Sequence, residues 1–141
     1  MLFRSKLEAK YKDKKLTALN EVQLHTKLPI RAMRFSLSAD GKKFENLIGD
    51  GVIISTPFGS SAYYSSVGGR KFNKGIGICF NNLHNKKIKS FVVPENSRIM
   101  VKIDRDEAWL AADNHEKLIS LNPSDSVIVK KSNQVAKFIV F

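Results

Sequence analysis

The chain has 141 residues, 43% of them apolar, and carries a net charge of +11. That is one domain's worth of sequence with an ordinary share of core-forming residues, which excludes an intrinsically disordered chain. No apolar run approaches the roughly 18 residues of a membrane span, and the opening Met1-Leu2-Phe3-Arg4-Ser5-Lys6 lacks the apolar core of a secretory signal. The single Cys79 excludes an internal disulfide and a thiolate-based metal site, so the expectation is an intracellular, cytoplasmic protein without membrane contact.

Taken in order, the chain reads as strands. Arg4 to Tyr11 alternates polar and apolar residues, as a half-buried strand does, and Asp13-Lys14-Lys15 makes a polar turn. Leu16 to Thr26 carries Leu16, Ala18, Val22 and Leu24 and reads as one second strand, with the polar pair Asn20-Glu21 inside it. Such a pair needs partners: either Glu21 pairs with a nearby lysine, or both side chains face a ligand. Ile30 to Leu37 and Phe44 to Ile48 flank Ala39-Asp40-Gly41-Lys42, whose Asp-Gly supplies the positive φ of a hairpin turn.

The stretch that follows, Gly49-Asp50-Gly51-Val52-Ile53-Ile54-Ser55-Thr56-Pro57-Phe58-Gly59-Ser60-Ser61-Ala62-Tyr63-Tyr64, ending shortly after at Gly68-Gly69, is the most informative. Gly49 and Gly51 bracket Asp50 and hold its carboxylate in a tight turn. Val52 to Ile54 is a buried strand that Thr56-Pro57 terminates. Ser60 or Ser61 is placed to cap a short helix through Ala62, Tyr63 and Val67. The physics alone leaves two readings: a capped strand–turn–helix with no ligand, or a helix start that cradles a polar or anionic one.

Gly75 to Phe80 is a further short strand whose glycines mark a bulge or a close backbone approach. His84, in the polar segment Asn81 to Lys89, reads as a surface residue without an acidic partner. Phe91-Val92-Val93-Pro94, Ile99 to Ile103, Trp109 to Ala112, Val127 to Val129 and Phe138 to Phe141 complete the strands. Asn114 is the expected left-handed residue of the turn after Ala112, with His115 exposed at its tip. Short strands with turns every eight to twelve residues predict an all-β fold, a β-sandwich with one short helix. The basic groups Lys10 to Lys15, Lys42-Lys43, Arg70-Lys71, Lys86 to Lys89 and Lys130-Lys131 attract polyanions. They are scattered and come without a recognition helix or an RNA-binding motif, so solvated lysines are expected and nucleic-acid binding is disfavoured.

The order of residues from Gly49 to Gly69 resembles the Gly-Asp-Gly…Thr-Pro-x-Gly-Ser-x-Ala-Tyr…Gly-Gly signature of the NAD kinases, with Phe58 and Ser61 where many members carry threonine. Ala18-Leu19-Asn20-Glu21-Val22 resembles the family's Ala-x-Asn-Glu segment, and Arg4 to Ala9 its domain entrance. Phe80-Asn81-Asn82-Leu83 departs from the family's Pro-His-like step. The turn after Ala112 usually reads Asp-Gly in the family. The resemblance implies a β-rich carboxy-terminal domain that binds NAD or NADP. It assigns Asn20 and Glu21 to the nucleoside parts and Asp50 to the nicotinamide end. Thr56, Ser60 and Ser61 would offer hydroxyls, and Ala62 and Tyr63 an apolar wall suited to a base.

It also implies what to look for elsewhere. Residues 1–141 read as a single domain without the family's amino-terminal α/β domain, whose Gly-Gly-Asp-Gly motif holds the general base and does not occur in this sequence. No catalytic residue and no metal ligand is assigned here. ATP or polyphosphate, with a divalent metal such as magnesium, enters only in a complete enzyme that phosphorylates the adenosine 2′-hydroxyl of NAD. A separate amino-terminal kinase domain and self-association into a homo-oligomer are the implied partners. Two other readings compete: a dinucleotide-binding or oligomer-forming module without catalysis, and a basic nucleic-acid-binding domain. The related lipid kinases are disfavoured by the full Thr-Pro-x-Gly-Ser-x-Ala-Tyr run.

Overall fold

Alternating burial runs along most of the strands, so each sheet offers one apolar face and must find a second to cover it. The computed structural model describes residues 2–139. In chain order the strands are β1 (Leu2–Tyr11), β2 (Lys14–Ala18), β3 (Glu21–Thr26), β4 (Met33–Ala39), β5 (Lys42–Gly49) and β6 (Gly51–Ser55). After a 3₁₀ turn (Phe58–Ser61) and the single helical turn α1 (Tyr63–Ser66) come β7 (Ile76–Asn81), β8 (Phe91–Val93), β9 (Ile99–Arg105), β10 (Ala108–Ala112), β11 (Ile119–Leu121) and β12 (Ser126–Phe138). They form two six-stranded sheets, ordered β2-β1-β12-β9-β4-β5 and β11-β10-β3-β6-β7-β8. Neighbours within each sheet are antiparallel, as the sandwich expectation requires.

The core lies between the sheets. Phe35, Leu37, Ile99, Val101 and Ile103 from the first sheet meet Val22, Leu24, Val52, Ile54, Ile78 and Leu110 from the second. Among the described residues no helix is long and apolar enough to cross a membrane.

Strand β6 is buried on both faces. Val52 and Ile54 enter the main core, while Ile53 joins Tyr64 and Cys79 in a second cluster under α1. Tyr64 is fully buried there, and the glycines around it explain part of the sequence pattern. A Cβ on Gly77 would stand 2.7 Å from the Tyr64 hydroxyl, and one on Gly69 would stand 2.3 Å from its ring. These two glycines give the ring its space.

Three expectations are corrected. Leu16 to Thr26 is two strands in different sheets, broken at Leu19-Asn20. The apolar alternation Leu16, Ala18, Val22, Leu24 keeps the same parity through the crossing, which hides the break. Val127 to Val129 and Phe138 belong to one long strand, because β12 leaves the sandwich and runs on beside β1, where no core-facing pattern is needed; Val140 and Phe141 lie outside the described residues. The left-handed residue after β10 is Asp113, at φ 51°, rather than Asn114. Its backbone N–H donates to Glu21 O at 2.9 Å, which fixes it in that conformation.

Among the described residues the Tyr64 hydroxyl has no hydrogen-bond partner, and burial raises its pKa, Ser90 approaching without hydrogen-bond geometry. Removing an unsatisfied buried hydroxyl relieves a desolvation penalty of about 1–3 kcal/mol. Tyr64→Phe is therefore expected to leave the denaturation midpoint unchanged or raise it. Gly77→Ala should lower stability by about 1–3 kcal/mol through overpacking. Urea denaturation of both variants checks the pair.

Candidate functional site

The crossing from β2 to β3 leaves Leu19 and Asn20 outside a regular ladder and Glu21 at the first position of one, so their N–H and C=O groups need other partners. On the donor side, the Asp113 carboxylate takes all three. Leu19 N–H donates to Oδ2 at 2.8 Å, and Asn20 and Glu21 N–H donate to Oδ1 at 2.8 and 3.0 Å. On the acceptor side, Thr56 N–H donates to Asn20 O at 2.9 Å and Thr56 Oγ1 donates to Leu19 O at 2.7 Å. Asp113 therefore grips all three residues and Thr56 two of them, Leu19 and Asn20.

Thr56 also starts the turn that follows. Its Oγ1 accepts from Gly59 N–H at 3.0 Å, which ties the threonine to the 3₁₀ turn. The expectation that Ser60 or Ser61 caps the helix is corrected: the N-cap of α1 is Ala62, which gives no side-chain bond. Ser60 is fully buried, its Oγ donating to Pro57 O at 2.8 Å and lying 3.4 Å from the Phe72 N–H. Gly59 allows the turn to press on the crossing, since a Cβ there would stand 2.3 Å from Asn20 O and 2.5 Å from Asn20 Cα. Any side chain at this position would push the Pro57–Ser61 turn off Asn20.

The outer face of the second sheet carries the remaining candidates. Cross-strand register aligns Ala111, Gln23, Ile53 and Cys79 in one row, and Trp109, His25, Gly51 and Asn81 in the next. Glu21 pairs with Ser55 at the end nearest Asp113. Tyr63 leans over this face, with Asn81 Nδ2 donating to its Oη at 3.4 Å. Asp50 precedes β6 and Thr56 follows it, so about 20 Å of strand separates the two ends of the candidate site. Asp50 is half-buried and accepts from Asn82 Nδ2 at 3.2 Å.

Glu21 is the chemically unusual group. Its residue is 5% exposed. Burial raises its carboxyl pKa above the ordinary value, the Asp113 charge and its contact with Asp113 add to the rise, and the facing Tyr63 backbone N–H opposes it. A lysine partner, the plainer of the two readings, does not appear among its surroundings, which are Asp113 and the Tyr63 backbone. Asn20 is half-buried and its recorded hydrogen bonds use only its backbone. Ser61 is exposed, and Ala62 and Tyr63 are half-buried. The structure thus brings Asn20, Glu21, Ala62 and Tyr63 together around the crossing, with Ser61 beside them, and leaves Asp50 at the far end of β6. The hydroxyls of Thr56 and Ser60 are engaged in holding the turn.

Sequence reasoning missed Asp113 as the anchor, reading it only as a turn residue. It also passed over Gln23 and His25. The period-two pattern Glu21, Gln23, His25 against Val22, Leu24 held that signal, a polar face opposite the core face. His84 and His115 are exposed.

A buried acid beside another acid destabilises the fold at neutral pH. Because the folded-state pKa of Glu21 is raised, the stability linked to its proton is present below the ordinary value of 4.5 and lost as pH rises through the folded value. Glu21→Gln should melt higher than the parent at pH 7, with the gap closing as pH falls toward the ordinary glutamate range. Melting curves from pH 4 to 8 test this, and a Gln variant less stable at pH 7 would contradict it.

Comparison with known proteins follows the same division. A model of the ATP-NAD kinase C-terminal domain matches residues 19–141. The NAD kinase of Clostridium beijerinckii is 32% identical over 100% of this chain, which covers 51% of that protein. The NAD kinase of Methanopyrus kandleri is 34% identical over 88% of this chain and 45% of its own length. The crystal structure of yeast NADH kinase complexed with NADH matches 93% of this chain and 41% of its own, with a TM-score of 0.83 at 26% identity. An NAD kinase from Archaeoglobus fulgidus in complex with ATP shares the fold, with a TM-score of 0.80 at 22% identity over 95% of this chain and 53% of its own. The chain thus spans about half the length of the curated relatives it matches. With the sandwich, the Thr56–Gly59 turn and the family model in agreement, this chain belongs to the ATP-NAD kinase C-terminal domain family.

Proposed function

We propose that the chain is the dinucleotide-binding half of an NAD kinase. The observation that carries this reading is Glu21, a carboxyl group buried against Asp113 at a cost to stability and aimed at the start of α1. Residues held at such a cost cluster where function requires them. Asn20 and Glu21 present an amide and a carboxyl group, which together offer donors and acceptors to ribose hydroxyls and an adenine edge. Ala62 and Tyr63 supply the wall on which a base stacks. Asp50, at the other end of β6, accepts from the nicotinamide carboxamide. Ser61 adds an exposed hydroxyl, and Thr56 and Ser60 act by holding the turn against the crossing. NAD or NADP is the ligand of this half-site, a reading supported by the NADH in the yeast relative.

Completed by an amino-terminal domain, the site would transfer a phosphoryl group from ATP or polyphosphate to the adenosine 2′-hydroxyl, with magnesium or a similar ion at the phosphates. Phosphoryl transfer depends on positioned phosphates, charge neutralisation and an oriented nucleophile. This chain's share is the second half of that positioning: it fixes the adenosine ribose so that the hydroxyl faces the incoming phosphoryl group. The general base belongs to the companion domain, and residues 1–141 alone bind without turnover. We place the protein in the cytoplasm and expect it to self-associate.

Thermal melts with NAD, NADP and ATP test the reading. A dinucleotide at 100 times its dissociation constant stabilises the fold by about 2.7 kcal/mol, a shift of several degrees. The expected result is stabilisation by NAD or NADP that Asn20→Ala and Asp50→Ala remove. Equal shifts in the parent and both variants would sink the assignment of these residues.

A further inference from the structure

The residue of the Thr56-Pro57-Phe58-Gly59 turn that the site leaves unexplained is Phe58, which stands where many NAD kinases carry threonine. It is 44% exposed and belongs to neither core cluster, so the sandwich does not need it for packing. Its contacts lie elsewhere. The ring stacks on Phe138 with centroids 5.6 Å apart and planes 27° from parallel, and the Arg4 guanidinium lies 5.7 Å from its centre. An offset aromatic pair and a cation over a ring are each attractive.

Arg4 and Phe138 come from the part of β1 and β12 that outruns the sandwich. β2 pairs with β1 only from Leu7 to Tyr11, and β9 pairs with β12 only from Ser126 to Val129. Before Leu7 the two strands run on as a ribbon, Leu2 opposite Phe138 and Arg4 opposite Ala136. Alternation puts Arg4, Ala136 and Phe138 on one face of it. A two-stranded ribbon is marginal in water by itself, so one side chain of the turn pins both strands of an element that would otherwise open. The turn and β1 also share the walls of a cleft of about 190 Å³, with Ser5 and Leu7 on one side and Pro57 and Ile76 on the other. The two elements are therefore not close-packed throughout, and the stack is a discrete link.

The place of Phe58 in the turn gives that link its effect. Two residues earlier, Thr56 N–H and Oγ1 donate to Asn20 O and Leu19 O; one residue later, Gly59 packs on Asn20 with no room for a Cβ. A shift of the ring is passed through this short segment to the groups that hold Asn20. We propose that Phe58 is a positioning residue: its stack with Phe138 and Arg4 latches the ribbon to the turn, and the latched ribbon steadies the turn against the Leu19–Asn20 crossing. The consequence for the dinucleotide rests on the half-site reading above. A frayed ribbon weakens binding at Asn20 and Glu21, and by reciprocity a bound dinucleotide steadies the ribbon.

Hydrogen exchange read by NMR in the parent, Phe138→Ala, Phe58→Ala and Phe58→Tyr tests the latch without a ligand. Phe138→Ala alters the ribbon and leaves the turn's own sequence intact. It should speed exchange of the Thr56 and Gly59 amides about tenfold through local opening, with the β4 and β9 amides still slow. Phe58→Ala should speed the ribbon amides to the same degree, and Phe58→Tyr, which keeps the ring, should retain parent rates at both places. Turn amides unchanged in Phe138→Ala, or ribbon amides unchanged in Phe58→Ala, overturn the inference. So does faster exchange throughout β4 and β9, which would make the stack a general stabiliser. Calorimetric titration with NAD runs alongside, and Phe138→Ala should weaken binding about fivefold, the low end of site-to-site coupling. Equal NAD affinity in parent and Phe138→Ala would end the positioning role. If the parent binds no NAD while its turn amides still respond to Phe138→Ala, the dinucleotide reading fails and the latch stands.

Discussion

Three backbone N–H groups, those of Leu19, Asn20 and Glu21, converge on the carboxylate of Asp113. Hydrogen bonds to a charged acceptor are worth about 1.5–3 kcal/mol each. They form where the chain passes from the first sheet to the second between β2 and β3. The rest of the candidate site is referenced to this point. Thr56 bonds the carbonyls of the same crossing, Gly59 packs on Asn20, and Tyr63 presents its N–H to Glu21. Without Asp113 the N–H groups of Leu19, Asn20 and Glu21 would lose their shared acceptor.

The same constraint gives the sequence signature a physical meaning. Threonine in Thr56-Pro57-Phe58-Gly59 is a two-sided clamp, donating to the crossing and accepting from the turn. Glycine follows because the crossing leaves no room for a Cβ. The motif is therefore a description of how one turn is pressed against one crossing. Its ligand contacts come from the residues this arrangement displays, Asn20 and Glu21 on one side and Ser61 to Tyr63 on the other.

Much of this was legible beforehand. The all-β sandwich followed from short alternating runs and turn residues, and the Asp40-Gly41 hairpin followed from the φ that Asp-Gly supplies; both residues do adopt positive φ. The buried Val52–Ile54 strand and the close backbone approach at Gly75 were equally readable. The break at Leu19-Asn20 was not, since apolar parity runs through it unchanged. Asp113 was hidden for a different reason: it lies 92 to 94 residues from the groups it binds, and nothing local distinguishes it from a turn aspartate. The extent of β12 escaped because its second half pairs with β1 outside the core, where burial imposes no pattern.

The sandwich, with its clamp at the crossing, is a platform that displays the polar outer side chains of β3 beside α1. The most direct test of this account is hydrogen exchange at the amides of Leu19, Asn20 and Glu21, read by NMR in the parent and in Asp113→Ala. The account predicts slow exchange at all three in the parent and selective loss of protection in the variant, with the β4 and β9 amides still slow. Protection at the three amides that is unchanged by the substitution would mean that the crossing is held by something other than Asp113, and the site's organising interaction would have to be sought elsewhere.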